Sequence, residues 1–262
     1  KAICIAYETV TDENNRLPLL APMSAVAGRM SIQAGARSLE KPLGGRGLLI
    51  GGAPGVSPAS VLILGGGVVG ENAAIIAAGM QANVFVVDKS KKRLSELNSQ
   101  FGESVKTLLS DEIKLEDYVS DCDLLIGGVL IPGANAPKLV SRDMIKKMKP
   151  GSVIVDVAID QGGCVETSKP TTHAEPTYVV DGVVHYCVAN MPGGVPQTST
   201  LALNAVTLPY VLKLAQEGYQ KALASDANFL AGLNLFKGSV TYKAVADDLN
   251  LQFISPETAI SN

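Results

Sequence analysis

The sequence predicts an α/β protein with a doubly wound parallel sheet. From residue 60 to residue 190, short apolar runs alternate with helical segments, which is the order of repeated strand–helix–strand units. The apolar runs contain few polar positions, as expected for strands that are covered on both faces. The first of them, VLIL at residues 61–64, leads directly into the glycine-rich turn GGGVVG at residues 65–70. These features predict an open parallel sheet whose first helix begins at a glycine turn.

Length, composition and charge limit the class of protein. The chain has 262 residues, enough for one large domain or two smaller ones, and its 47% hydrophobic and 18% charged residues are ordinary for a globular protein. A formal net charge of −3 argues against nucleic acid or an anionic membrane surface as the main partner. Because no apolar run reaches the ~18–20 residues of a membrane-spanning helix, we also predict no membrane partner.

The cysteines indicate the redox environment. Cys4, Cys122, Cys164 and Cys187 have no CxxC spacing. In a chain of this length, that pattern predicts reduced and mostly buried thiols rather than a disulfide framework or a metal site. A cytoplasmic location is therefore expected.

The secondary structure is predicted in chain order as follows. Strands are expected at residues 2–7, 61–64, 83–88, 105–109, 123–130, 151–158 and 184–190. Helices are expected at residues 69–80, 90–101, about 111–120 and 142–150, and in a segment that Ser24 caps and that reaches residue 39. Thr198 or Ser199 is predicted to begin a long helix that ends at Gly218, with Pro209 as the expected site of a kink. Two more short helices are expected near residues 219–231 and 240–249.

The glycine turn predicts a nucleotide-binding loop. Gly65, Gly67 and Gly70 form G-x-G-x-x-G between a strand and a helix, which is the context that this motif requires. The first glycine permits the tight turn, the second allows a pyrophosphate to approach the backbone, and the third allows close packing of helix and strand. Val68 and Val69 lie within this glycine loop, and the N-terminus of the following helix offers free N–H groups to the phosphates.

The acidic residue at the end of the next strand predicts the cofactor. Asp88 stands 21 positions after Gly67, where a carboxylate accepts hydrogen bonds from the adenosine ribose and repels a 2′-phosphate. NAD is therefore predicted rather than NADP. Arg93 and the lysines at positions 89, 91 and 92 are cations that could accept a phosphate, but we favour their interpretation as a solvated helix face.

These features divide the chain into two predicted parts. Residues 25–197 are expected to form a Rossmann-type NAD-binding domain. Residues 1–24 and 198–262 are expected to form an incomplete second lobe made from both chain ends. Because the sequence begins at Lys1 within a predicted strand, we expect an N-terminal piece to precede it.

Residues at the strand ends are the next candidates, because ligands of open parallel sheets lie beyond the carboxyl ends of the strands. Apolar members would flank the rings of the cofactor, although core packing explains Val129, Leu130 and Val157 equally well. Asn190 and Asp160 could bind the amide or ribose of the nicotinamide half, and Asp160 could share proton transfer. The complete set is Ser110, Val129, Leu130, Val157, Ala158, Ile159, Asp160, Val188, Ala189, Asn190 and Met191.

The two histidines have no evident catalytic role. His173 lies in the loop KPTTHAEPT and is expected to be exposed, whereas His185 lies in a strand beside Tyr186. Most histidines in such places are structural or solvated. Neither is an obvious general acid–base, which a dehydrogenase usually needs beside its hydride acceptor.

Several longer blocks of the sequence resemble the alanine dehydrogenase family. They include ILGGGVVG at residues 63–70, VDVAIDQGGCVETSKPTTH at 155–173 and HYCVANMPGGVPQTST at 185–200. The others lie at residues 6–10, 17–36, 44–56 and 123–140, so that nearly the whole chain is covered. The resemblance implies reversible oxidative deamination of L-alanine to pyruvate and ammonia with NAD, by a two-domain subunit in a homohexamer.

The resemblance also implies site residues. It places cofactor contacts at Ser24 and Arg93, which no strand-end argument reached, as well as at the glycine turn, Asp88 and the strand ends. Asp160 matches the active-site aspartate of the family, and Lys169 falls where the family can carry a basic cofactor contact. Family members carry roughly a hundred further residues before the block AYETV, a common domain size. That segment supplies a substrate-binding arginine and lysine and a catalytic histidine, which have no counterpart here.

Two other functions remain open at this point. The NAD-binding component of a proton-pumping nicotinamide nucleotide transhydrogenase has the same architecture, with a longer insertion expected after the strand of Asp88. Only 34 residues separate Asp88 from Asp123, which favours the dehydrogenase. The alternative from a different class is a non-catalytic module that binds NAD or an oligomer partner and converts no substrate.

Overall fold

A computed structural model describes residues 2–129 and 136–261. Its strands are β1 (Ile3–Ile5), β2 (Ser60–Leu64), β3 (Asn83–Asp88), β4 (Val105–Leu109), β5 (Leu124–Gly127), β6 (Val153–Asp156), β7 (Thr177–Val180), β8 (Val183–Tyr186), β9 (Leu233–Phe236) and β10 (Ser239–Val240). Its helices are α1 (Ala21–Ser38), α2 (Val68–Gly79), α3 (Lys91–Phe101), α4 (Leu115–Asp121), α5 (Arg142–Ile145), α6 (Pro196–Ala224), α7 (Ala227–Leu230), α8 (Lys243–Asp248) and α9 (Pro256–Ser261). Short 3-10 turns include Ser110–Glu112, Val157–Gln161 and Met191–Gly194.

The chain divides into two compact units. The sheet unit contains residues 24–195, and the terminal unit contains residues 2–23 together with residues 196–261. Among the described residues, none of the helices combines the length and the apolar character that a membrane crossing requires.

The sheet unit is built on a seven-stranded sheet in the order β4-β3-β2-β5-β6-β8-β7. All neighbours are parallel except β7, which runs antiparallel to β8 at the edge. The chain proceeds outward from β2 to β4 and then returns to the other side of β2 as β5. Such a reversal of strand order opens a crevice beyond the carboxyl ends of the two strands. The sheet confirms the predicted α/β fold with a doubly wound parallel sheet.

The core of the sheet unit lies on both faces of the sheet. Alternate residues of β2 point to opposite sides, so Val61 and Ile63 pack with Ala73 of α2, whereas Leu62 and Leu64 pack with Val119 of α4. Both layers are closed to solvent, which explains why the predicted strands lack polar alternation.

The terminal unit contains a small antiparallel sheet that the sequence analysis did not predict. β9 lies between β1 and β10, and its Leu233 and Phe236 pack with Phe229 of α7. Lys237 and Gly238 form the turn between β9 and β10, both with positive φ (51° and 109°). That conformation is typical of a two-residue hairpin. The short apolar run LNLF followed by Lys-Gly was the available signal.

Several helix boundaries differ from the prediction: α4 begins at Leu115, α5 already ends at Ile145, and α8 begins only at Lys243, after β10. The differences in α1 and α6 are the most informative. α1 begins at Ala21, so Ser24 lies inside the helix rather than at its N-cap. Pro22 explains the earlier start, because proline is favoured in the first turn of a helix. In α6 the residue with non-helical backbone angles is Gly218 (φ 74°, ψ 157°), whereas Pro209 keeps helical angles. The break in backbone angles thus coincides with the predicted end of this helix, although α6 continues beyond it to Ala224.

Candidate cofactor-binding site

The glycine turn joins the end of β2 to the start of α2. Gly65 has φ +94°, and a Cβ there would lie 2.9 Å from the carbonyl oxygen of Gly128. A Cβ on Gly70 would overlap the carbonyl oxygen of Gly65, so both positions require glycine for packing. At Gly67, by contrast, a Cβ would meet nothing within 4 Å. The second glycine thus leaves open space above the turn, which suits the close approach of a ligand.

The N-terminus of α2 faces the same turn. The N–H of Glu71 donates to the carbonyl of Gly67, and the amides that precede it have no acceptor in an earlier helical turn. Val68 is exposed, whereas Val69 is buried. Free backbone N–H groups at the start of this twelve-residue helix can donate hydrogen bonds to the oxygens of a pyrophosphate. The residues present therefore fit the phosphate part of a dinucleotide.

Asp88, the last residue of β3, is tied to the glycine turn. Its Oδ2 accepts a hydrogen bond from the backbone N–H of Gly66 at 2.7 Å, and its Oδ1 accepts one from the N–H of Ser90 at 2.8 Å. These bonds fix the half-buried carboxylate beside the turn. Its remaining lone pairs can accept hydrogen bonds from ribose hydroxyls.

Arg93 lies under the turn, although the sequence analysis favoured a solvated cation. Its Nε donates to the carbonyl of Gly66 at 2.6 Å, and its two terminal nitrogens donate to Glu71 at 2.5 Å and Glu96 at 2.9 Å. Burial lowers the pKa of Arg93, but the hydrogen bonds and charges of Glu96 and Glu71 outweigh it, so the pKa is raised. The preferred interpretation of Arg93 as part of a solvated helix face is therefore wrong.

Four further cofactor candidates, Ser110, Val129, Leu130 and Ser24, come from different elements of the chain. Ser110 begins the 3-10 turn after β4, and its hydroxyl donates to Asp111 at 3.0 Å. The Cα of Val129, after β5, lies 3.2 Å from where a Cβ of Gly65 would be, so this residue adjoins the glycine turn. Leu130 lies outside the described residues. Ser24 is a half-buried residue of α1.

At the carboxyl ends of β6 and β8, the side chains differ in exposure. Asp160 and Asn190 are exposed, as is Ala189, and Val157 is half-buried. The side chains of Ala158, Ile159, Val188 and Met191 are buried. These four residues therefore offer little surface to a ligand, and the exposed groups at this edge are those of Asp160, Ala189 and Asn190.

Asp160 and Asn190 are brought together, and the structure adds His173 to them. The backbone N–H of Asn190 lies 3.2 and 3.4 Å from the two carboxylate oxygens of Asp160. Nε2 of His173 lies 3.2 Å from the carbonyl oxygen of Asn190. Nothing in the local sequence indicates that the loop of His173 reaches the residues after β8, so this contact was not predicted.

A buried hydrogen-bond network lies behind Asp160. Asp156 at the end of β6 is fully buried and accepts hydrogen bonds from Ser168 Oγ at 2.6 Å and from the N–H of Val165 at 3.2 Å. Cys164 Sγ lies 3.6 Å from the same carboxylate, and burial raises the pKa of this thiol well above its usual value. The network anchors both ends of the segment that carries Asp160.

Lys169 packs against Tyr178 of β7, the edge strand of the sheet. Its ammonium lies 4.5 Å from the ring centre of Tyr178, and its backbone N–H donates to the hydroxyl of Tyr178 at 2.8 Å.

Within residues 2–129 and 136–261, no three or more His, Cys, Asp or Glu side chains form a group that could hold a metal ion. The four cysteines are free, with Cys4 exposed and the other three buried.

Comparison with known proteins decides the family. Residues 31–243 match the family described as alanine dehydrogenase/PNT, C-terminal domain. The chain belongs to this alanine dehydrogenase/PNT family. The resemblance inferred from the sequence blocks is thus confirmed.

Members of the alanine dehydrogenase/PNT family align along almost the whole chain. "Alanine dehydrogenase" of Halomonas elongata is 61% identical over 259 residues, which cover 99% of this chain and 70% of the relative. A solved structure titled L-alanine dehydrogenase has a TM-score of 0.90 and 54% identity, covering 95% of this chain and 68% of that one. The transhydrogenase from Sinorhizobium meliloti has a TM-score of 0.74 at 23% identity, with 91% and 68% coverage, and shares the fold.

Proposed function

We propose that this chain is the NAD-binding part of an enzyme that catalyses the reversible oxidative deamination of L-alanine to pyruvate and ammonia. The relatives named alanine dehydrogenase, at 61% and 57% identity, support this activity. The observation that carries the proposal is the open glycine turn beside Asp88, whose carboxylate is bonded to Gly66 at 2.7 Å. The sheet unit serves as the NAD domain, and the terminal unit is the remainder of the substrate domain.

The proposed cofactor is NAD, held by residues of the sheet unit. The turn at Gly65, Gly67 and Gly70 would hold the pyrophosphate, and Asp88 would accept hydrogen bonds from the adenosine ribose. When bound, NAD supplies the acceptor for the hydride of the substrate. Val129, Val157 and Asn190, at the ends of the central strands, would contact the nicotinamide half.

Asp160 would orient the reacting groups at the end of β6. Its carboxylate is exposed, and the backbone N–H of Asn190 holds it from one side. A fixed carboxylate in this place can accept hydrogen bonds from the cofactor ribose or from the ammonium group of the substrate. Following the family resemblance, the basic groups that bind the alanine carboxylate and the acid–base histidine would come from residues outside this sequence.

The assembly and location are proposed on the same basis. We infer a homohexamer in the cytoplasm. Relatives that align with almost all of this chain are named alanine dehydrogenase, and the resemblance to that family is the basis of both expectations. Size-exclusion chromatography with light scattering measures the assembly directly. A monomeric full-length protein would contradict the proposal.

Two measurements test the proposed activity, one on this chain and one on the full-length protein. NADH binding to the purified chain is titrated by fluorescence, and formation of NADH from NAD is then followed with L-alanine in the full-length protein. Binding together with an alanine-dependent rate supports the proposal. Binding without a rate in the full-length protein would favour a non-catalytic NAD-binding module, and failure to bind NADH would contradict the cofactor assignment.

A further inference from the structure

The contacts of Arg93 suggest a role in choosing between NAD and NADP. Each of its three guanidinium nitrogens donates to a fixed acceptor, namely the carbonyl of Gly66 and the carboxylates of Glu71 and Glu96. The side chain of Arg93 is only 26% exposed, against 28% for Glu71 and 41% for Glu96. Glu71 lies in the first turn of α2, whereas Arg93 lies in the first turn of α3 and Glu96 follows it one turn later in the same helix.

Arg93 is adjacent to the proposed ribose-binding carboxylate. Asp88 binds the N–H of Gly66, while Arg93 binds the carbonyl of the same residue. A Cβ on Gly66 would lie 3.3 Å from Asp88 Oδ2 and 3.5 Å from Arg93 Cγ, so both side chains contact one side of this glycine. A guanidinium in that neighbourhood is the group that would hold a 2′-phosphate, because its planar set of donors matches phosphate oxygens.

We propose that Glu71 and Glu96 are specificity-determining residues that sequester Arg93 and thereby disfavour NADP. This inference rests on the proposed binding of a nicotinamide cofactor. The carboxylates of Glu71 and Glu96 pair with the guanidinium, and that of Asp88 binds the adjacent Gly66, so a 2′-phosphate of about −2 charge would meet three carboxylates and one guanidinium. It would also have to displace two ion pairs before it could use Arg93. A free 2′-hydroxyl encounters neither obstacle and needs only the carboxylate of Asp88.

The lysines nearby do not replace Arg93. Lys91 at the start of α3 pairs with Glu112 at 3.2 Å, and both side chains are exposed. Lys89 and Lys92 are also exposed, so solvent screens their charge. Arg93 is the half-buried cation at this turn, and its two acidic partners therefore control its availability.

The test compares the dissociation constants of NADH and NADPH for the purified chain by fluorescence titration. We expect the unsubstituted chain to prefer NADH. The double variant Glu71→Gln/Glu96→Gln should bind NADPH more tightly. The ratio of the NADPH dissociation constant to that of NADH should fall about tenfold, equal to about 1.4 kcal/mol. NADH affinity should stay within about threefold, because neither glutamate is needed for a 2′-hydroxyl. Thermal unfolding verifies that the variant folds.

Two controls separate release of Arg93 from a general loss of negative charge. Adding Arg93→Met to the double variant should abolish the gain in NADPH affinity. Asp143 forms an i,i+3 ion pair with Lys146, the same spacing as the pair of Arg93 with Glu96. Asp143→Asn should leave the preference for NADH over NADPH unchanged. If the gain persists without Arg93, or if the preference stays the same in a folded double variant that binds NADH, the inference is overturned.

A single variant covers the case in which the double variant fails to fold. Glu96→Gln changes the more exposed of the two glutamates and should narrow the preference about threefold, equal to about 0.6 kcal/mol. An unchanged preference in that variant would also overturn the inference. If the unsubstituted chain binds neither NADH nor NADPH, the proposed function itself fails, which is a different result from NADH binding with an unaltered preference.

Discussion

The backbone N–H of Asn190 donates to the carboxylate of Asp160, at 3.2 Å from Oδ1 and 3.4 Å from Oδ2. Asn190 has left-handed backbone angles (φ 54°, ψ 53°), which asparagine tolerates better than most residues. Its carbonyl oxygen lies 3.2 Å from His173 Nε2. These contacts join the turn after β6 to the turn after β8 and give the exposed carboxylate of Asp160 a backbone partner at the carboxyl edge of the sheet.

Replacement of Asp160 should affect turnover far more than folding. We expect Asp160→Ala in the full-length enzyme to lower kcat roughly 100-fold or more, because an orienting or proton-transferring carboxylate contributes on that scale. Since Asp160 is exposed, the midpoint of thermal unfolding should change little. Steady-state kinetics with L-alanine and NAD provide the measurement. Near-normal turnover in a folded variant would exclude the proposed role.

Replacement of Asp88 should weaken binding of NADH and reduce its advantage over NADPH. The Asp88→Asn variant keeps the size of the side chain but loses the charge that attracts ribose hydroxyls and repels a 2′-phosphate. A hydrogen bond to a charged group is worth about 1.5–3 kcal/mol, so we expect the dissociation constant of NADH to rise at least tenfold. Titration with both reduced cofactors measures the change. An unaltered preference would refute the ribose assignment.

The two glycines at the start of α2 provide a matched pair of alanine substitutions. Gly70→Ala should lower the free energy of unfolding by about 3 kcal/mol, because the new Cβ would overlap the carbonyl oxygen of Gly65. Gly67→Ala should leave stability nearly unchanged, since its Cβ meets no atom within 4 Å, but it should weaken NADH binding by occupying the space above the turn. Urea unfolding and NADH titration of both variants distinguish the two effects. Normal NADH binding by Gly67→Ala would contradict the phosphate assignment.

His185 should make the stability of the chain depend on pH. The side chain is fully buried in β8, with Nδ1 2.9 Å from the carbonyl oxygen of Val183 and Nε2 2.7 Å from Thr167 Oγ1. Burial lowers the pKa of His185 below the ordinary value of 6.5. As the pH falls through about 6.5, the unfolded chain binds a proton that the folded chain does not yet bind, so the free energy of unfolding decreases. At higher pH this contribution is constant.

Thermal unfolding of the wild-type chain and of His185→Gln checks this dependence between about pH 7 and pH 5. We expect the unfolding midpoint of the wild type to fall more steeply with decreasing pH than that of the variant. His173→Gln is the matched control, because His173 is exposed and should leave the slope unchanged. Identical slopes in the wild type and His185→Gln would show that the buried imidazole does not contribute.

The sequence by itself determined the parallel sheet, the glycine turn and Asp88. These features depend on contacts between residues that are close along the chain, such as a strand, its turn and the next helix. The same reasoning missed the β9–β10 hairpin, because LNLF is a four-residue strand with a single Lys-Gly signal beside predicted helices. It expected the long helix to end at Gly218, where the backbone does leave helical angles, but it did not anticipate that α6 resumes and continues to Ala224.

Only the tertiary structure decided which side chains meet at the carboxyl edge. Arg93 is 22 residues from Glu71, and Asn190 is 30 residues from Asp160, yet each pair forms a direct contact. Their proximity results from the order of the parallel strands, which brings β2 beside β3 and β6 beside β8. That order is set by the burial of apolar side chains on both faces of the sheet, a property of the whole unit that no local pattern contains. For this reason, the residue pattern alone favoured a solvated Arg93, and only the fold revealed that two carboxylates hold it.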